Sequence, residues 1–151
     1  MVRKTPEELQ EAKRARAAER AEEVKREAEE AAAEEARIEA LWNAKGRCEQ
    51  LVSVCDGYYD EIDKQTKKWP TMQVTKRTVD RVNLLLAEVR KLLEDEEDDF
   101  AAGLEDIVPA GDLPENRDVV LILREVRDAL GRFEQEHTNE WRAIERQLAA
   151  Y

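Results

Sequence analysis

A chain of 151 residues with 40% charged and 42% hydrophobic side chains has the size of one domain, with room for an appendage. Its formal net charge of −11 argues against a general nucleic-acid binder, which needs an excess of Lys and Arg to neutralise phosphates, and against docking on anionic membranes. No apolar run approaches the roughly 20 residues of a membrane span, and the opening MVRKTPEELQEAKR lacks both the apolar core of a secretory signal and the acid-poor composition of a transit peptide.

The expected setting is therefore cytoplasmic and reducing, with no cofactor. Five Gly, four Pro and a scatter of Thr, Val and aromatic residues too uneven to suggest sheets, in a chain rich in helix formers, give an all-α reading.

The first helix has a clear start. Thr5 can cap, Pro6 suits the first helical position, and Glu8 completes a capping box. Only Gly46 and Gly57 interrupt helix formers between there and Lys68. Residues 1–37 form an arm rich in Ala, Glu and Arg, and between residues 6 and 37 its only large apolar side chains are Leu9 and Val24. Opposite charges recur at helical-neighbour spacings, as in Glu11 to Arg14, Glu22 to Arg26 and Glu34 to Arg37.

Such a helix buries little by itself, so it projects, frays or takes a partner. Ala17, Ala21, Val24, Ala28 and Ala31 fall at alternating steps of four and three, a narrow stripe that runs on through Glu35 to Ile38. That stripe marks the arm as the surface for another protein or a second copy.

From Ile38 the pattern strengthens. Ile38, Leu41, Lys45, Cys48, Val52, Cys55, Tyr59 and Ile62 alternate by three and four, with Leu51 and Tyr58 widening the face. Trp69 and Pro70 end the run, and Thr71 can open the next. Val79, Val82, Leu86, Val89, Leu93, Glu96 and Phe100 carry the second stripe, which ends near Gly103. The connection LEDIVPAGDLP follows. Asp112, Pro114 and Glu115 signal a third start, and Val119, Leu123, Val126, Leu130, Phe133, His137, Trp141, Ile144, Leu148 and Tyr151 carry the last stripe.

Helices at about 38–68, 73–102 and 114–150 form an antiparallel up-down-up three-helix bundle, coiled-coil-like in packing, with a long N-terminal helical extension. In heptads and element count residues 38–151 resemble spectrin-type three-helix repeats, which also place Trp on outer helices.

Counting outward from the two turns sets His137 beside Tyr59 and Asn83, as a polar layer in the core, and Lys45 level with Glu96, as a core charge pair. Glu134 and His137 have the Glu-x-x-His spacing that bundle helices offer to iron or manganese. A di-metal site needs two such pairs and two further Glu, so Glu134 and His137 are metal candidates only if a dimer doubles them.

Cys48 and Cys55, seven apart on one helix, are too distant for a disulfide and read as core residues. The run Glu94–Asp99 is an acidic face, and Trp69 in the first turn is a possible exposed anchor.

No phosphate-cradling loop, nucleophile elbow or Ser-His-Asp set is present, so catalysis is not expected. The leading expectation is a structural or adaptor protein that docks or oligomerises through its arm. The alternatives are a helical subunit touching nucleic acid through the basic end of the arm, where residues 1–26 hold eight Lys or Arg against six Glu, and the metal bundle.

Overall fold

The computed structural model describes residues 3–96, 101 and 103–151. It is an all-α three-helix bundle of α1 (Pro6–Lys68), α2 (Lys76–Leu93) and α3 (Asn116–Ala149). Among the described residues the one β-type pairing is a single bridge between Gln73 and Glu115. Two compact units divide the chain, the first ending at Ala40 and the second spanning Leu41–Tyr151.

In the first unit the N-terminal box forms as the sequence requires. The Thr5 amide donates to Glu8 Oε2 at 2.8 Å, and the Glu8 amide to Thr5 Oγ1 at 3.3 Å. Arg37 pairs with Glu34 at 2.7 Å, while Arg26 lies 3.8 Å from Glu30. These pairs are solvent-exposed, so water and salt screen them and each adds little to the helix.

The second unit holds the core. On α1 the buried residues are Cys48, Leu51, Cys55 and Ile62, with Leu41, Ala44, Val52, Tyr58 and Tyr59 half-buried against the core, so the expected stripe faces inward with Leu51 and Tyr58 widening it. Lys45 lies at its margin, half-buried. Val79, Val82, Leu85, Leu86, Val89 and Leu93 of α2 meet Val119, Leu123, Val126, Leu130 and Phe133 of α3.

The direction of α3 differs from the up-down-up expectation. The Val74 amide donates to Pro114 O at 2.9 Å, the Asn116 amide to Met72 O at 2.9 Å, and the Arg117 amide to Pro70 O at 3.2 Å. Asn116 Nδ2 donates to Trp69 O at 3.0 Å. The third helix thus begins where the first ends and the second begins, so it runs parallel to α2 and antiparallel to α1. Pairings along α1 agree, with Arg124 on Tyr59, Arg127 on Asp56, and Trp141 Nε1 on Leu41 O at 3.0 Å. The resemblance to spectrin-type repeats therefore stops at heptads and element count.

The cause lies in the second connection, which is a return path and not a turn. An 18-residue helix is about 27 Å long at ~1.5 Å per residue. Ten extended residues, Leu104 to Leu113, reach ~33 Å, enough to travel back along it. The segment is fastened as it goes. Arg90 donates to Leu104 O at 2.9 Å and pairs with Asp106 at 2.7 Å. Asn83 donates to Ile107 O at 2.9 Å and accepts from its amide at 2.6 Å. Leu104 is buried, and Ile107 and Leu113 pack on the core.

The second helix also ends earlier than the expected 102, at Leu93. Glu94, Asp95 and Glu96 place carboxylates at the negative end of the helix dipole, which opposes further turns. The remainder of the acidic run, Glu97 to Asp99, and the stripe residue Phe100 lie outside the described residues. The third helix starts two residues later than expected, with Glu115 as N-cap and its amide donating to Asp118 Oδ2 at 3.2 Å.

Replacing Asn83 by Ala removes both bonds to Ile107. Each such bond contributes about 1 kcal/mol net, so the variant should lose about 2 kcal/mol in urea unfolding. Hydrogen exchange should speed up first in residues 104–113. Unchanged exchange there would show that the strap is held without Asn83.

Candidate functional site

The most concentrated polar chemistry surrounds His137 on α3. Its ring stacks on Trp141 with centroids 5.7 Å apart and tilts against Phe133 at 4.7 Å. Nε2 lies 2.8 Å from Glu96 Oε1, and Nδ1 lies 3.1 Å from Glu140 Oε1. Carboxylates only accept, and a neutral imidazole has one N–H, so satisfying both contacts requires the doubly protonated ring. Burial of the ring lowers its pKa, but the hydrogen bonds to Glu96 and Glu140 outweigh that, and the net value is raised above the ordinary 6.5.

The expected polar layer of Tyr59, Asn83 and His137 does not assemble. Tyr59 Oη accepts from Arg124 at 3.1 Å, and Asn83 is spent on Ile107. The expected pair of Lys45 and Glu96 does not form either. Lys45 reaches Glu49 at 2.8 Å and Glu145 at 3.7 Å, and sits over Trp42 at 5.1 Å.

One cause covers the His137 mispairing: with α3 parallel to α2, His137 stands beside the end of α2 and not its beginning. The level of Lys45 and Glu96 follows from the first turn alone, which is short. There Lys45 sits at the margin of the α1 face and reaches Glu49 and Glu145 instead. Glu140, three residues after His137, was the available signal for its second partner, the mirror of the Glu134 spacing.

As metal ligands Glu134 and His137 do not converge. The Glu134 side chain lines a cleft with Lys45, Trp141 and Glu145, while both nitrogens of His137 face other carboxylates. Among the described residues no group of three or more His, Cys, Asp or Glu is placed to hold a metal ion.

Cys48 and Cys55 are buried free thiols, each pushed up to about 11 chiefly by burial. Cys55 Sγ donates to Leu123 O at 3.4 Å, so it serves the α1–α3 seam.

The arm residues Ala17, Ala21, Val24, Ala28 and Ala31 are all exposed in the single chain, Val24 at 65%. Trp69 is exposed at 57%. Among the described residues no helix is long and apolar enough to cross a membrane. No protein-family model matches the chain, and neither a curated protein nor a solved structure matches it.

Two measurements test this geometry. A folded-state pKa above the unfolded one adds stability that is fully present below about 6.5 and is lost as pH rises through the raised value. The urea midpoint should therefore fall with rising pH above 6.5. His137→Gln should flatten that slope; an equal slope in the variant would assign the effect elsewhere. In the second test, a thiol reagent at pH 8 should label Cys48 and Cys55 only at the rate of opening, and at once in denaturant.

Proposed function

We propose that the chain is a non-enzymatic structural or adaptor protein that docks or oligomerises through the helical arm formed by residues 1–37. The observation that carries this reading is the exposure of every residue of the Ala17, Ala21, Val24, Ala28 and Ala31 stripe, while the unit from Leu41 onward closes a core of its own. A helix with so little to bury gains its lasting stability from an added partner, and small residues let another helix approach closely. The arrangement around His137 favours the same reading. Both ring nitrogens are committed to carboxylates, which leaves neither free to take a proton from a substrate.

Light scattering on the full chain, on residues 38–151 and on a full-length Ala21→Glu, Ala28→Glu variant tests the proposal. The full chain should be a dimer or higher oligomer, the other two monomers, with the cooperative unfolding of the bundle retained in all three. An oligomer that survives truncation would overturn the reading. A monomeric full chain would exclude self-association and leave capture by the immobilised arm as the test of docking.

A further inference from the structure

The loop between α1 and α2 presents apolar side chains from an unusually well-fixed backbone. Trp69 and Met72 are each 57% exposed. Their main chain is nevertheless pinned: the Trp69 amide donates to Gln65 O at 2.8 Å, and the Met72 amide to Trp69 O at 3.2 Å. Trp69 O also accepts from Asn116 Nδ2, Pro70 O from the Arg117 amide and Met72 O from the Asn116 amide. A loop held at three carbonyls by the start of α3 displays an indole and a thioether with little left to order on binding, the condition under which exposed aromatic residues bind strongly.

Charge sets the kind of partner. Residues 64–81 carry Lys64, Lys67, Lys68, Lys76, Arg77 and Arg81 against Asp80 alone, in a chain whose net charge is −11. Lys67 lies 3.3 Å from Asp63, and Lys68 stands over the Trp69 ring at 5.9 Å. Lys64, Lys76, Arg77 and Arg81 are exposed and form no ion pair among the described residues. Of the acids at this end, Glu115 is spent on Arg117 at 2.7 Å, Asp118 on the helix cap and Asp63 on Lys67, while Glu61 and Asp112 are exposed beside Asp80, so the Lys and Arg keep a small excess in an otherwise acidic chain. Beside the loop, a small cleft between α1 and α2 of about 20 Å³ is lined by Tyr58, Glu61, Ile62, Thr78, Arg81 and Val82, so apolar contact at this end rests on the exposed Trp69 and Met72.

We infer that this end of the bundle is a docking surface for an acidic protein segment that carries a large apolar residue, with Trp69 and Met72 as anchors and the surrounding Lys and Arg as its electrostatic frame. Protein is favoured over nucleic acid because Met72 offers no planar face for a base, and single-stranded nucleic acid is typically held by several stacked aromatics. The surface is separate from the arm, so this inference stands or falls independently of the proposed function.

The test uses the full-length chain and a fluorescein-labelled peptide of about twelve residues, mostly Glu with two Leu, followed by anisotropy. Binding should be saturable at low salt and weaken as salt rises. Trp69→Ala with Met72→Ala should weaken it about tenfold or more, as should Lys68→Glu with Arg77→Glu. Leu121→Ala, an exposed apolar change on α3, should leave it unaltered. All these side chains are exposed, so the variants should keep the parent circular dichroism and melting curve.

Absence of saturable binding at low salt, or binding by either variant pair as tight as by the parent chain, overturns the inference. So does tighter, patch-dependent binding of a single-stranded oligonucleotide of equal charge, or of phosphatidylserine vesicles. An oligomer of the full chain that Trp69→Ala dissociates would likewise replace the acidic segment with a second copy.

Discussion

The side chain and main chain of Asn116, buried at the first position of α3, tie that helix to the loop between α1 and α2 through Trp69 O and Met72 O. A buried amide left without partners costs about 1–3 kcal/mol, so these bonds fix the start of α3 at one end of the bundle. Once that start is placed, the helix can run only alongside α2 and against α1. Trp141 then arrives at Leu41, and His137 arrives at Glu96. The return segment strapped by Asn83 and Arg90 is the geometric complement of the same constraint.

The periodicities of the three apolar stripes were legible because helices bury one face and the residues that do so recur every three or four positions. They identified the class, and the elements on α1 and α3 nearly to their ends. Direction was not legible in the same way. A connection such as LEDIVPAGDLP has the Gly and Pro of a turn, and nothing in a heptad says whether a chain reverses or travels back before reversing. Leu104, Ile107 and Leu113 were the available hint, since three large apolar residues in one connection give it an apolar side to bury.

The candidate site inherits that gap. Residues whose placement rests on one helix, such as the buried thiols of Cys48 and Cys55, stand where the sequence puts them. The polar partners of His137 could not be chosen without knowing which end of α2 it faces. On α1 Lys45 shares a heptad with Cys48 and Cys55, but it stands half-buried at the margin of the face while Leu51 is buried. Small residues compete with long ones for the inside of a helix at equal periodicity, and a charged side chain at the edge snorkels outward, as Lys45 does over Trp42.

The parallel course of α2 and α3 also bears on how the chain reaches its native state. In a bundle whose neighbours are joined by tight hairpins, each helix docks on the one made just before it. Here α3 closes contacts as distant as Trp141 with Leu41, 100 positions apart, across an intervening strap that runs back along α2. The entropy of closing that loop comes before the contacts that repay it, which raises the contact order of an all-helical chain towards that of mixed folds. The second unit should collapse first around α1 and α2, exposing an apolar trough until α3 arrives, and its folding should be slow for a helical protein of its size.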